Sequence, residues 1–207
     1  SVVGLVAMLV AMSAISKERN RLLDEADASG HSVALIPVSD KSALAEPLGH
    51  ITDFELTNQS GVTTKRTDFD GKVWVADFIF TSCKSICPTL TKNMATVQDS
   101  FSDAPDLHFV SISVDPDTDT PEVLAQFAQK FGADLEHWDF LTGPKEYIKE
   151  ISYQGFLIGG GEKMTEHSNK FILIDRKGDI RGFYTGTEVE DVERMKGHIR
   201  TLLDESV

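Results

Sequence analysis

A chain of 207 residues with 41% hydrophobic content has room for one domain with its own core plus a flanking segment, and its two cysteines are too few for a disulfide-stapled secreted scaffold. Lys+Arg 20 against Asp+Glu 33 leaves a net charge of −13, which argues against a nucleic-acid partner, because phosphate neutralisation needs clustered cations.

Residues 1–16 carry no charge, and Lys17-Glu18-Arg19-Asn20-Arg21 follows at once. As a helix this stretch spans roughly 24 Å, short of the ~30 Å hydrocarbon core of a bilayer. The expectation is the C-terminal part of a membrane anchor; the apolar region of a signal peptide and a buried core helix are the alternatives. Residues 17–49, with Gly30, Pro37, Pro47 and Gly49, read as a stalk, helical at first and then extended. His31 and His50 have no cysteine or carboxylate at a ligand spacing and are expected to face solvent.

Residues 50–207 form the expected globular domain. Phe54-Glu55-Leu56 and Val62-Thr63-Thr64 flank the turn-forming Asn58 to Gly61 as a hairpin, and Asp68 to Gly71 makes a second turn. The nearly continuous apolar run Val73 to Phe80 predicts a central strand covered on both faces. Leu90, Met94, Val97 and Phe101 then share one helical face. A second strand, Leu107 to Val114, leads through the loop Asp115 to Pro121 into a helix capped by Thr120 and opened by Pro121. A short strand at Trp138 to Leu141, a helix from Pro144 to about Gln154, the interruption Gly159-Gly160-Gly161, two strands around Arg176 to Asp179, and a final helix through Val192 and Leu203 complete the chain. Strands alternating with helices and then a hairpin and helix predict an α/β sandwich with a mostly parallel central part.

Both cysteines lie in Thr81-Ser82-Cys83-Lys84-Ser85-Ile86-Cys87-Pro88, where the central strand gives way to a helix. If the helix includes both, their i, i+4 spacing puts the sulfurs one turn apart on one face. A helix start lowers thiol pKa, and paired thiolates suit a soft ion such as Cu(I). Two structural cysteines without further role are equally compatible with the spacing alone. A third ligand would decide for metal, and the candidates are His108, His137, His167 and His198. His167 stands out because the preceding Gly159 to Met164 would let the chain approach another element, and it leads straight into a strand expected beside the cysteine-bearing one. Met164 is a possible soft fourth ligand, with loop packing its commoner role. Asp115, Asp117 and Asp119 lack the Gly and terminal Glu of a Ca²⁺ loop, so turn-forming and capping roles are expected.

Asp70-Gly71-Lys72, the strand ending Phe80-Thr81-Ser82-Cys83, Cys87-Pro88, Val114 to Pro121 and Glu166-His167-Ser168 together resemble the Sco/SenC family of copper-binding, thioredoxin-like proteins, over roughly Ile51 to Leu203. The resemblance implies a thioredoxin-like sandwich with a central mixed sheet flanked by helices, and copper held by Cys83, Cys87 and His167. It also implies a single N-terminal transmembrane helix, a soluble domain in the periplasm or mitochondrial intermembrane space, and assembly of the dinuclear copper centre of cytochrome c oxidase. The partner it implies is the copper-receiving oxidase subunit; the apolar N-terminal segment adds membrane lipid and a respiratory complex packing on that helix as expected partners. One departure is Lys84-Ser85-Ile86, where many members have Pro-Asp after the first cysteine. A lysine there favours the thiolate and weakens attraction for a second cation.

The main rival is a general thiol–disulfide reductase in which Cys83 and Cys87 form the catalytic redox pair. Asp77, six residues before Cys83, resembles the buried acid of thioredoxins, although an edge position facing water explains it equally well. Against that rival, the chain has no proline after Pro144 to stand opposite the cysteines, and His167-Ser168 takes that place. A peroxiredoxin fits worse, since no proline precedes the Thr81 to Cys83 stretch in the required spacing. A structural accessory subunit of a membrane respiratory complex is the third alternative.

Overall fold

The computed structural model describes residues 44, 46–158 and 168–205. The expected anchor, most of the stalk, His31, Gly159 to Gly161, Met164 and His167 lie outside these residues. Among the described residues no helix is long and apolar enough to cross a membrane.

The centre of the fold is β4 (Val73–Ile79), in which every residue is buried. It pairs in parallel with β5 (Leu107–Ser113) and antiparallel with β7 (Lys170–Ile174). Neighbours on both sides and helices above and below explain why its sequence is apolar without alternation. The same holds for β5, which is buried throughout rather than on one face. Outward from β5 lie β6 (Trp138–Thr142), parallel to it, and the hairpin of β2 (Glu55–Asn58) and β3 (Thr63–Lys65). Outward from β7 lie β8 (Asp179–Thr185) and the two-residue β1 (Gly49–His50), so the sheet runs β1-β8-β7-β4-β5-β6-β2-β3. The mostly parallel centre and antiparallel flanks match the predicted mixed sandwich. β1 has no signal in the sequence, being too short for any period.

Local chemistry sets the connections. The Asn58 side chain accepts from Ser60 and Val62 N–H, both at 3.0 Å, and Gly61 at φ 75 closes the hairpin. Helix α2 (Pro121–Phe131) has Thr120 as N-cap, its hydroxyl accepting from Val123 N–H, and Gly132 at φ 70 ends it. Helices α1 (Cys87–Asp99), α2 and α4 (Val189–Asp204) share one core with the sheet through Leu90, Met94, Leu124, Phe127, Met195 and Ile199. On the opposite face α3 (Lys145–Gln154) contributes Ile148 and Ile151 to a second core with Trp74, Phe78 and Ile172.

The turn from β8 to α4 presses on α1. Asn93 Nδ2 donates to Gly186 O at 2.7 Å, and Gly186 N–H donates to Asn169 O at 2.7 Å. A Cβ on Gly186 would lie 2.6 Å from Leu90 Cδ2 and 2.7 Å from Phe171 Cζ, closer than packed atoms tolerate. Gly186→Ala is therefore expected to destabilise the fold by about 1–3 kcal/mol, as overpacking does. Urea unfolding measures this, and an unchanged midpoint would contradict the packing described.

Candidate metal centre

The site forms where β4 runs out. The ladder between β4 and β5 ends with Val114 N–H donating to Ile79 O at 2.8 Å. The chain then turns tightly, Cys83 N–H donating to Phe80 O at 3.2 Å. Helix α1 begins at Cys87, with Ile86 in the capping position and its carbonyl accepting from Thr89 N–H (3.0 Å) and Leu90 N–H (2.9 Å). Pro88 falls in the first helical turn, where a missing N–H costs no hydrogen bond. Cys83 thus precedes the helix, so the condition for one shared helical face, a helix that includes both cysteines, is not met. Their sulfurs meet because the turn folds Cys83 back over the helix start, where the Cys87 thiol donates to the Cys83 sulfur.

Both residues are free thiols, Cys83 7% and Cys87 2% exposed. Their acidities are pushed apart. Burial works against ionising Cys83, but the N–H groups of Cys87, Ser85 and Ile86 and the Cys87 thiol outweigh it and hold Cys83 below the ordinary thiol value. Burial pushes Cys87 up to about 12, reinforced by the charges of Cys83 and Asp77 and opposed by the Phe80 N–H. The backbone at the helix start dominates this acidity, while Lys84 sits exposed beside it. One thiol made more acidic than usual and one adjacent buried thiol that must give up its proton form a soft donor pair of the kind that suits Cu(I).

Asp77 lies beneath the pair. It is 0% exposed in the middle of the sheet, so the water-facing edge alternative is overturned: β4 has a neighbour on each side. Ser111 Oγ donates to Asp77 Oδ1 at 2.6 Å and itself accepts from Trp138 Nε1 at 3.0 Å. Among the described residues Asp77 Oδ2 has no hydrogen-bond partner. Burial raises the carboxyl to about 7, the Ser111 bond opposing.

Of the candidate histidines, His167 lies outside the described residues. The strand that follows it does lie beside the cysteine-bearing strand, with Ala76 opposite Ile172 in antiparallel register, so β7 begins at the end of the sheet where β4 stops. His108 is engaged with Asp139 Oδ2 (3.1 Å) and His198 with the Tyr184 hydroxyl (2.6 Å), and both are buried. His50 is exposed against Asp179, as expected. His137 joins Asp134 and Glu136 in a group of donor atoms within 4.8 Å of one another, on the surface and engaged internally through Asp134 Oδ2. The three loop acids diverge: Asp117 is exposed against Lys145 Nζ at 3.2 Å, whereas Asp119 is buried and accepts from Thr81 and Ser113. The capping role belongs to Thr120, and the inward turn of Asp119 corrects its expected role in the loop. Sequence carried no signal for it, since Thr81 stands 38 positions away.

The family described as SCO1/SenC matches residues 43–204. The SCO1 protein homolog of Bacillus subtilis is 34% identical over 152 residues, covering 70% of this chain and 79% of its own length. Among solved structures, a SCO1/SenC family lipoprotein from Bacillus anthracis has a TM-score of 0.71 and 39% identity, over 78% of this chain and 100% of that one. BsSco, solved in work identifying a disulfide switch in that member of the Sco family of cytochrome c oxidase assembly proteins, has a TM-score of 0.70 and 28% identity, over 79% and 99%. Yeast Sco1 with copper bound shares the fold at a TM-score of 0.63 and 22% identity, over 78% and 96%.

The buried carboxyl gives a pH test. Its folded value of about 7 lies above the ordinary 3.8, so the folded chain keeps a proton that the unfolded chain releases. That contribution to stability is fully present below about pH 4 and is lost as pH rises through 7. Relative to Asp77→Asn, the parent chain is expected to lose up to about 4 kcal/mol between pH 4 and 8. Denaturant unfolding across that range measures the difference, and parallel pH profiles would refute it.

Proposed function

The chain belongs to the SCO1/SenC family, and from that premise we propose that it is a copper carrier that binds one Cu(I) through Cys83, Cys87 and His167 and passes it to the copper-receiving subunit of cytochrome c oxidase. The observation that carries this reading is the pair of buried free thiols at the start of α1, with the Cys83 sulfur set against backbone N–H groups. The register of β7 against β4 supports a role for His167 by starting the strand three residues after it at the cysteine end of the sheet. The copper recorded in yeast Sco1 supports the choice of metal.

Copper here is cargo. Cys83 supplies a thiolate, and Cys87, held near 12 in the free dithiol, must release its proton as the ion arrives. Two thiolates and a neutral imidazole suit a monovalent soft ion and discriminate against Mg²⁺ and Ca²⁺, which require oxygen ligands. We further propose that residues 1–16 anchor the chain to a membrane, that residues 17–49 act as a stalk, and that residues 50–207 work as the copper-binding domain on the outer side of that membrane.

The divergent thiol acidities favour a second use of the same pair. A Cys83 thiolate can attack a partner disulfide, forming a mixed disulfide and releasing one partner thiolate; Cys87 then attacks the Cys83 sulfur, closing the internal disulfide and releasing the second partner thiol. The internal disulfide removes both sulfur ligands, so copper binding requires the reduced chain.

An anaerobic Cu(I) titration of the reduced full chain tests the proposal. Wild type is expected to bind one equivalent, Cys83→Ser and Cys87→Ser to lose that binding, and His167→Ala to bind at least about tenfold more weakly. Affinity should fall by about tenfold or more per pH unit below 7, because at least one proton is displaced. Undiminished binding by His167→Ala would defeat the three-ligand site, and absence of copper binding together with rapid disulfide reduction would favour the thiol-exchange reading.

A further inference from the structure

The cysteine turn is held by a residue from another loop. The alternation that runs from Val73 N–H on Asp106 O to Val114 N–H on Ile79 O makes Thr81 N–H to Val114 O the next bond of the parallel ladder. Thr81 N–H donates instead to Asp119 Oδ2 at 3.1 Å, and the Thr81 hydroxyl donates to Asp119 Oδ1 at 2.5 Å. Ser113 Oγ donates to Asp119 Oδ2 at 2.6 Å. Asp119 is 0% exposed, and these three partners are neutral donors. A buried carboxylate in such a setting forms charge-assisted bonds, stronger than those between neutral groups.

We infer that Asp119 is a positioning residue for the dithiol: through Thr81 it fixes the turn that sets the Cys83 sulfur against the start of α1. The carboxylate replaces the strand as acceptor, so the chain can leave the sheet with the half-buried Thr81 N–H still paired. Thr81 is the second residue of the turn closed by Cys83 N–H on Phe80 O, which makes the path from Asp119 to Cys83 two residues long. Asp119 is itself stiffly mounted. Its N–H and that of Thr118 donate to Asp115 O at 2.9 and 3.0 Å, Asp115 N–H donates to Ser113 Oγ at 3.1 Å, and the next residue, Thr120, caps α2. The loop between β5 and α2 therefore acts as a clamp on the loop between β4 and α1. Asparagine cannot replace the acid silently: its amide would have to donate to the Thr81 hydroxyl, reversing that bond, and the negative charge that strengthens all three bonds would be lost.

The inference extends to copper only through the proposal above that Cys83 is a ligand, and the experiment separates the two. In full-length chains carrying Cys87→Ser, the pH midpoint of thiolate absorbance reports Cys83 alone; in chains with both cysteines, competition with a Cu(I) chelator reports affinity; thermal unfolding is followed in each. Asp119→Asn is expected to raise the midpoint by about one unit and to weaken copper about tenfold, and Thr81→Val to move both in the same direction. Thr81→Ser, which keeps the hydroxyl donor, should restore wild-type values. Ser113→Ala, which removes a donor from Asp119 but leaves both Thr81 bonds, should lower the unfolding temperature without moving the midpoint. If Asp119→Asn fails to fold, Thr81→Val decides. Loss of stability with an unmoved midpoint would overturn the inference and leave the copper reading standing. A shifted midpoint in a chain that binds no copper would uphold the positioning role and defeat the copper reading.

Discussion

The last hydrogen bond between β4 and β5, Val114 N–H on Ile79 O, is the point on which the site depends. Up to that bond the backbone is committed to a sheet buried on both faces, where the ladder pairs the backbone N–H and C=O groups. Beyond it the chain has to leave the sheet, reverse and start a helix within a few residues, and the ladder no longer supplies acceptors for its N–H groups. Three devices make this feasible: the Asp119 carboxylate takes the next donor, Phe80 O takes the Cys83 amide, and Pro88 occupies a helical position where no donor is needed. Cys83 is thereby brought over the open N–H groups at the start of α1, while Cys87 enters the helix and the core.

Chemical asymmetry follows from that placement. The two cysteines share a neighbourhood, yet one faces backbone N–H groups and the other faces burial and the charges of Cys83 and Asp77. Cys83 is the sulfur that gives up its proton more readily, for a soft cation or for attack on a disulfide, while Cys87 retains its own until a ligand or bond replaces it. Asp77 makes the same region costly at high pH, because burial penalises its ionised carboxylate and, among the described residues, its Oδ2 has no donor. Stability is given up under the dithiol, as often happens where a fold carries chemistry.

Much of the architecture was legible in the sequence because it rests on period and punctuation. The unbroken run at Val73 to Ile79, the Thr120-Pro121 start, the Asn58 turn and the Leu90-Met94-Val97 face are local signals, and the structure follows them. The helix start at Cys87 was not legible, since Ile86 offers no side-chain cap and a spacing of four residues reads equally well as a helical face. The water-facing alternative for Asp77 fell only when β7 was seen beside β4, which is a matter of strand order. Asp119 was invisible for a related reason. Its neighbours in sequence describe a turn and a cap, whereas its partner Thr81 belongs to another loop and is brought near by the parallel pairing of β4 with β5. Local patterns report elements; functional sites in this fold are built from the ends of elements that topology brings together.

The central claim is that this dithiol, completed by a histidine, holds copper. The most direct measurement is the X-ray absorption fine structure of the reduced full-length chain loaded with one equivalent of Cu(I). The account predicts two sulfur neighbours and one imidazole nitrogen around a single copper, with the imidazole signal lost in His167→Ala. A copper surrounded by nitrogen and oxygen alone, or an imidazole signal that persists in that variant, would contradict it.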